Sequence, residues 1–218
     1  MTGLMRSNFY AARANETLFA GVLCALCAFV AAIDNDVPTP LIGFMLLSLV
    51  GFSFQAMASL LRECGGKWGR YKLTAPVRRR DVLRSQMIGQ LIWLAVGAGA
   101  AAAGAGLSVL LHGNPFDLAT DPLMIYTVGI SVNLWMGALF FPLYVMAGEE
   151  RSEAVLAVSL LGAIIVVMAL VSAINALIGP DAAVAVLLLS AGLLLVLALA
   201  AFAAAYCLAA WLFLRKDC

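Results

Sequence analysis

The chain has 218 residues, 64% of them hydrophobic and only 11% charged, with a formal net charge of +1. A soluble domain carries about 25% charged residues, and a single core covers only part of a chain this size. A soluble globular protein is therefore excluded, and a bilayer must solvate most of the surface.

Residues 1–16 open the chain with a helical pattern. Met1, Met5, Phe9 and Ala12 recur at +4, +4 and +3 and share one face, while Arg6 and Arg13 lie seven apart on another. This spacing predicts a short interfacial helix along a membrane leaflet. A membrane span needs roughly 20 apolar residues in a helix. Six stretches meet that length, near 17–33, 39–61, 87–111, 123–147, 154–178 and 183–214. Arg6 and Arg13 before an apolar stretch, with Ala31 and Ala32 after it, also suit a signal peptide. Five further spans favour a first anchor. Alternating barrel strands are absent, so the spans are helices. Within the first, Cys24 and Cys27 form a C-x-x-C pair, but neither His nor a second Cys pair is near enough to complete a zinc site. No metal is expected.

The second span leads into the most charged part of the chain. Eight of the 13 Lys and Arg residues lie there: Arg62, Lys67, Arg70, Lys72, Arg78, Arg79, Arg80 and Arg84. The others are Arg6, Arg13, Arg151, Arg215 and Lys216, while the turns 34–38, 112–122 and 179–181 hold no Lys or Arg. Cytoplasmic loops carry the basic excess. The expected topology is an all-α integral membrane protein of six spans with both termini in the cytoplasm. The basic stretch 62–84 contains Trp68 and Tyr71, three apart, and Pro76 would end a short helix from about 67 to 74. Asp81 suits the first turn of the next helix. Two readings stay open on physics alone. One is an amphipathic helix that docks a protein; the other is a basic loop held by anionic headgroups.

In the third span, small residues run from Gly97 to Gly106 and allow close helix packing, either within the chain or between copies. The expected polar positions inside spans are Gln55, Asn133 and Asn175. Each is more simply an interhelical hydrogen bond than a substrate contact. Pro142 is expected to kink the fourth span. No charged residue falls near the middle of a span, unlike in most ion-coupled transporters. The sixth stretch exceeds one perpendicular span, so it tilts or forms a short external element with the end of the fifth.

No catalytic constellation is visible, and His112 stands alone. A phosphate-binding loop needs Gly, four residues, Gly, Lys, then Ser or Thr. Here Gly66 and Lys67 are followed by Trp68, and Leu61 stands at the first Gly position. The chain is expected not to be an enzyme, to hold no cofactor and to bind no nucleic acid.

The run from Lys67 to Val82, with Lys67-Trp68, Arg70-Tyr71, Leu73 and Pro76-Val77 leading into Arg78-Arg79-Arg80, resembles a family pattern. So does Leu4-Met5-Arg6-Ser7-Asn8-Phe9-Tyr10 near the start. Both are similar to the small six-helix permeases of the ABC-2 type, in the branch that includes exporters of bacterial amphipathic peptides. Arg78 stands where that family usually has Ser or Thr, Gln86 where Lys is common, and Arg62 where a second acidic residue is frequent. The resemblance implies one permease domain over 1–218, in a bacterial cytoplasmic membrane. It also implies a coupling helix in the loop 62–84, where Glu63, Lys67, Trp68, Arg70, Tyr71, Lys72 and Pro76 meet a separate ATPase subunit. ATP and Mg would belong to that partner, and a second permease copy would complete the pair. The rival expectation is a membrane scaffold whose basic loop recruits a cytoplasmic protein or anionic lipid.

Overall fold

The computed structural model describes residues 2–32, 38–64, 79–113, 116, 120–147, 151–178 and 184–215. Among these residues it holds six helices and nothing else of regular structure. They are α1 (Thr2–Ala32), α2 (Thr39–Cys64), α3 (Arg79–His112), α4 (Asp121–Ala147), α5 (Ser152–Ile178) and α6 (Val184–Arg215). Backbone groups in lipid must be paired within their own segment, which helices alone achieve for isolated spans.

Among the described residues, five helices are long and apolar enough to cross a membrane: Thr39–Ser59, Asp81–His112, Asp121–Ala147, Glu153–Leu177 and Val184–Leu212. The expected first span is the exception. α1 joins the expected interfacial segment 1–16 and the span 17–33 without a break, and among its described residues the apolar stretch is Asn15–Val30. α3 begins at Arg79, eight residues before the expected span, so the last of the basic stretch is already helical. α6 is one helix of 32 residues and includes all but the first residue of the expected sixth stretch.

α1, α2 and α3 pack together at one side of the bundle, and α4 joins them to α5 and α6. α4 is the central element. In its spanning window 56% of residues are buried, against 28% in α5 and 17% in α6, although all three are apolar on every side. Its buried polar residues are small or amidic: Thr127, Ser131 and Asn133. Tyr126 on α4 donates to the Ala98 carbonyl of α3 at 3.1 Å.

The small-residue run of α3 splits between two faces. Gly97, Ala101, Gly104 and Ser108, spaced four, three and four apart, face inward. A Cβ on Gly97 would strike the Ser48 carbonyl oxygen of α2, and one on Gly104 the Phe44 ring. Gly99 and Gly106 have open space beside them. Backbone-to-backbone approach between α2 and α3 is thus permitted only by the missing side chain at 97. Phe52 of α2 stacks on Trp93 of α3 with ring centroids 6.2 Å apart, and Phe19 of α1 meets Phe52 edge-on at 5.2 Å.

Gly97→Ala is predicted to cost about 1–3 kcal/mol, because backbone rather than a flexible side chain blocks the new methyl. Gly99→Ala should stay within about 0.5 kcal/mol. Thermal unfolding of the purified protein in detergent checks both.

Candidate functional site

Of the residues expected to couple to an ATPase, Glu63 lies in the last turn of α2. Lys67, Trp68, Arg70, Tyr71, Lys72 and Pro76 fall at 65–78, outside the described residues. The structure does describe the two helices that enter and leave this segment, and a polar junction that ties them to the centre of the bundle.

The junction is built from one amide on α3 and one on α4. Gln90 Nε2 donates to Asn133 Oδ1 at 3.0 Å and to the Asn133 backbone carbonyl at 2.9 Å. Asn133 Nδ2 donates to the Leu49 carbonyl of α2 at 3.0 Å. Ser53 of α2 completes the loop with a longer bond, 3.4 Å, from its hydroxyl to the Gln90 carbonyl. Gln90 is 2% exposed, and Asn133 and Ser53 are fully buried. Three helices separated in sequence by up to 84 residues are therefore pinned at one level.

Local sequence explains the placement. Gly137 follows Asn133 by one helical turn, and a Cβ there would collide with the Gln90 amide. The glycine thus leaves the space in which the glutamine lies. Leu49, whose carbonyl is used, also packs its side chain over Gly129. Pro142 cannot donate to the Ala138 carbonyl, which weakens the ladder of α4 one turn beyond the junction. Gln90 Oε1 has no hydrogen-bond partner, so the junction has one spare acceptor.

Asn133 thus makes interhelical bonds, as its place in an apolar span predicted. Gln55 is half-buried and takes no part in the junction; Ser53, two residues away, does. Asn175 is exposed and lines a cavity of about 250 Å³. The residue that sequence reasoning misses is Gln90, which lies within the expected third span and belongs with the other buried amides. Its signal was available, as a lone amide among Ile88, Leu91 and Ile92 in a stretch expected to face lipid or protein.

The cavity lies where α4 begins, α5 ends and α6 begins, between Met124, Val128, Val171, Leu187 and Leu194. Its lining is almost wholly carbon, with Thr127, Asn175 and Ser190 as the polar members. Thr127 and Ser190 hydroxyls are bonded back to their own helices, to Leu123 and Leu187 carbonyls. Cys24, Cys27 and Cys207 are free thiols, and no group of three or more potential metal ligands occurs among the described residues.

Six helices among the described residues, five of them long and apolar enough to cross a membrane, and a buried polar junction that joins α2, α3 and α4 describe a multi-span membrane protein. The profile of the ABC-2 family transporter proteins matches residues 3–213. The chain belongs to the ABC-2 transporter family. It is a multi-pass membrane protein of that family, whose domain is a membrane transport domain and not a nucleotide-binding one. No curated protein and no solved structure shows a significant match to this ABC-2 chain.

Asn133→Leu is predicted to destabilise this ABC-2 protein by about 1–3 kcal/mol, because Gln90 Nε2 then keeps only the carbonyl of residue 133 as acceptor and the side-chain bond to the Leu49 carbonyl is lost. Gln90→Leu together with Asn133→Leu should cost less than the sum of the two single changes, since the polar groups leave together. Gln55→Leu should be nearly neutral. A double-mutant cycle on unfolding in detergent measures all three.

Proposed function

We propose that this chain is the permease subunit of an ATP-driven exporter in a bacterial cytoplasmic membrane, with hydrolysis in a separate ATPase. The observation that carries the reading is the junction. The helices flanking the basic segment, α2 and α3, are bonded to each other and to α4 by Gln90, Asn133 and Ser53. A push on the segment 65–78 then reaches α4, and through it α5 and α6, without first breaking the bundle.

In this reading the basic segment is the coupling helix. Trp68 and Tyr71 anchor it in a groove of the ATPase, with Lys67, Arg70 and Lys72 around them, because aromatic and Arg residues dominate the energetics of protein interfaces. Glu63 and Pro76 bound the docking element. ATP and Mg bind the partner, and ATP-driven closure stabilises one of two bundle arrangements over the other. The six-span arrangement with both termini in the cytoplasm follows from the distribution of Lys and Arg. It requires α1 to cross with part of its polar half at the cytoplasmic surface.

The cargo is an amphipathic or hydrophobic molecule, with peptides as one class. An apolar cavity near the non-cytoplasmic end of α4–α6 suits its apolar part. At about 250 Å³ the space is below the usual range of about 300–1,000 Å³ for a small-molecule pocket. Passage of a peptide therefore needs α4 to part from α5 or α6, or a second permease copy to widen the path.

Replacing both Trp68 and Tyr71 by Ala is predicted to reduce recovery of the ATPase with the permease roughly tenfold or more. ATP-dependent export into inside-out vesicles should fall with it. Unchanged complex and unchanged transport would remove the coupling role from this segment. In intact cells, a Cys placed at Lys72 should resist a membrane-impermeant thiol reagent until the membrane is opened; labelling from outside would reverse the assigned orientation.

A further inference from the structure

α1 carries one residue that its pattern does not explain. Its inward stripe reads Glu16, Phe19 and Ala20, Leu23, Cys27 and Val30, while Leu18, Val22 and Phe29 face outward and are exposed. Every inward member is apolar except Glu16. The carboxyl is not turned out to solvent: the residue is only 3% exposed, and neither carboxylate oxygen has a hydrogen-bond partner.

Register places the acid at depth. Phe19 lies against Gly51 and Phe52 of the antiparallel α2. Glu16, one turn earlier on the same face, is therefore level with Gln55 and Ala56, inside the spanning part Thr39–Ser59. The helices packed on α1 are α2 and α3. Among the described residues, the charged and titratable groups of these two helices lie toward the helix ends. On α2 these are Arg62, Glu63 and Cys64, about two turns nearer the helix end. On α3 they are Arg84, about one turn from the level of Glu16 and exposed, and Asp81, about two turns from it. On α1 itself, Arg13 is exposed one turn away.

An ionised carboxylate in such a seam, with no hydrogen-bond donor and with no counter-charge at its level among the described residues, is not sustained by the surrounding structure. A proton neutralises it without any further partner. We propose that Glu16 is a proton-binding site inside the bundle, and that separation of α1 from α2 and α3 releases that proton to water. Any movement of the bundle that wets this seam then carries one proton per chain. The linkage has a definite sign. The packed arrangement binds the proton and the opened one does not, so rising pH favours opening, by up to about tenfold per pH unit once the opened form is ionised. This inference does not depend on an ATPase partner or on the cargo.

Infrared difference spectroscopy of the purified full-length protein in lipid nanodiscs tests it. At neutral pH the wild-type protein should show the carbonyl stretch of a protonated, unsolvated carboxylic acid. The band should be missing in Glu16→Gln and displaced in Glu16→Asp. Raising the pH should erase it, and thermal stability should fall in step in wild type but not in Glu16→Gln. Absence of the band from folded wild-type protein at neutral pH would overturn the proposal. So would a pH–stability profile that Glu16→Gln leaves unchanged. If Glu16→Gln fails to fold, the displaced band in Glu16→Asp still assigns the group, and an unmoved band refutes it.

Discussion

A polar group placed in the hydrocarbon of a membrane must find its partner inside the protein, and this requirement organises the ABC-2 bundle. Apolar contact between helices is only weakly selective in lipid, where tails are as apolar as leucine. Register has to come from elsewhere. Here it comes from two sources at neighbouring levels. Gly97 lets α3 lie against the Ser48 carbonyl of α2, and Gln90 and Asn133 lock both helices to α4. Removing the amides would leave the helices apolar and able to slide; removing the glycine would hold them apart.

The same constraint links structure to transport. The hairpin α2–α3 carries the basic segment at its tip, and α4 carries α5 and α6. The junction and the bond from Tyr126 to Ala98 are hydrogen-bonded links between those halves. A motor that moves the hairpin would therefore move α4 first. α1 is attached to the hairpin through Phe19 and Phe52, and its buried acid sits in the seam that would open if the hairpin moved away from it.

Much of this was legible in the sequence, for physical reasons. Hydropathy over windows of bilayer length found the spans of α2 to α6, because length and apolarity alone decide that question. The interhelical role of Asn133 was legible because a lone amide in lipid must bond. What remained hidden is non-local. Nothing near Gln90 names Asn133, 43 residues away, as its partner. α4, α5 and α6 all lack a distinct polar face, so their periodicity does not say that α4 is central and α6 peripheral. Glu16 was hidden for a different reason. It stands at the end of a polar segment, and the helix was expected to break there; in the structure the helix continues and the acid turns inward. The segment that holds Lys67, Trp68, Arg70, Tyr71, Lys72 and Pro76 still rests on the charge pattern and the family resemblance.

The central claim is that α2, α3 and α4 move as one body. Spin labels at Leu110 of α3 and Met146 of α4, both exposed, report on it through their separation with the ATPase complex trapped before and after ATP binding. The account predicts a single sharp distance that is unchanged between the two states, and broadened when Gln90 and Asn133 are both replaced by Leu. A distance that shifts on ATP binding in the unmodified junction would mean that the hairpin slides past the central helix, and the account would fail.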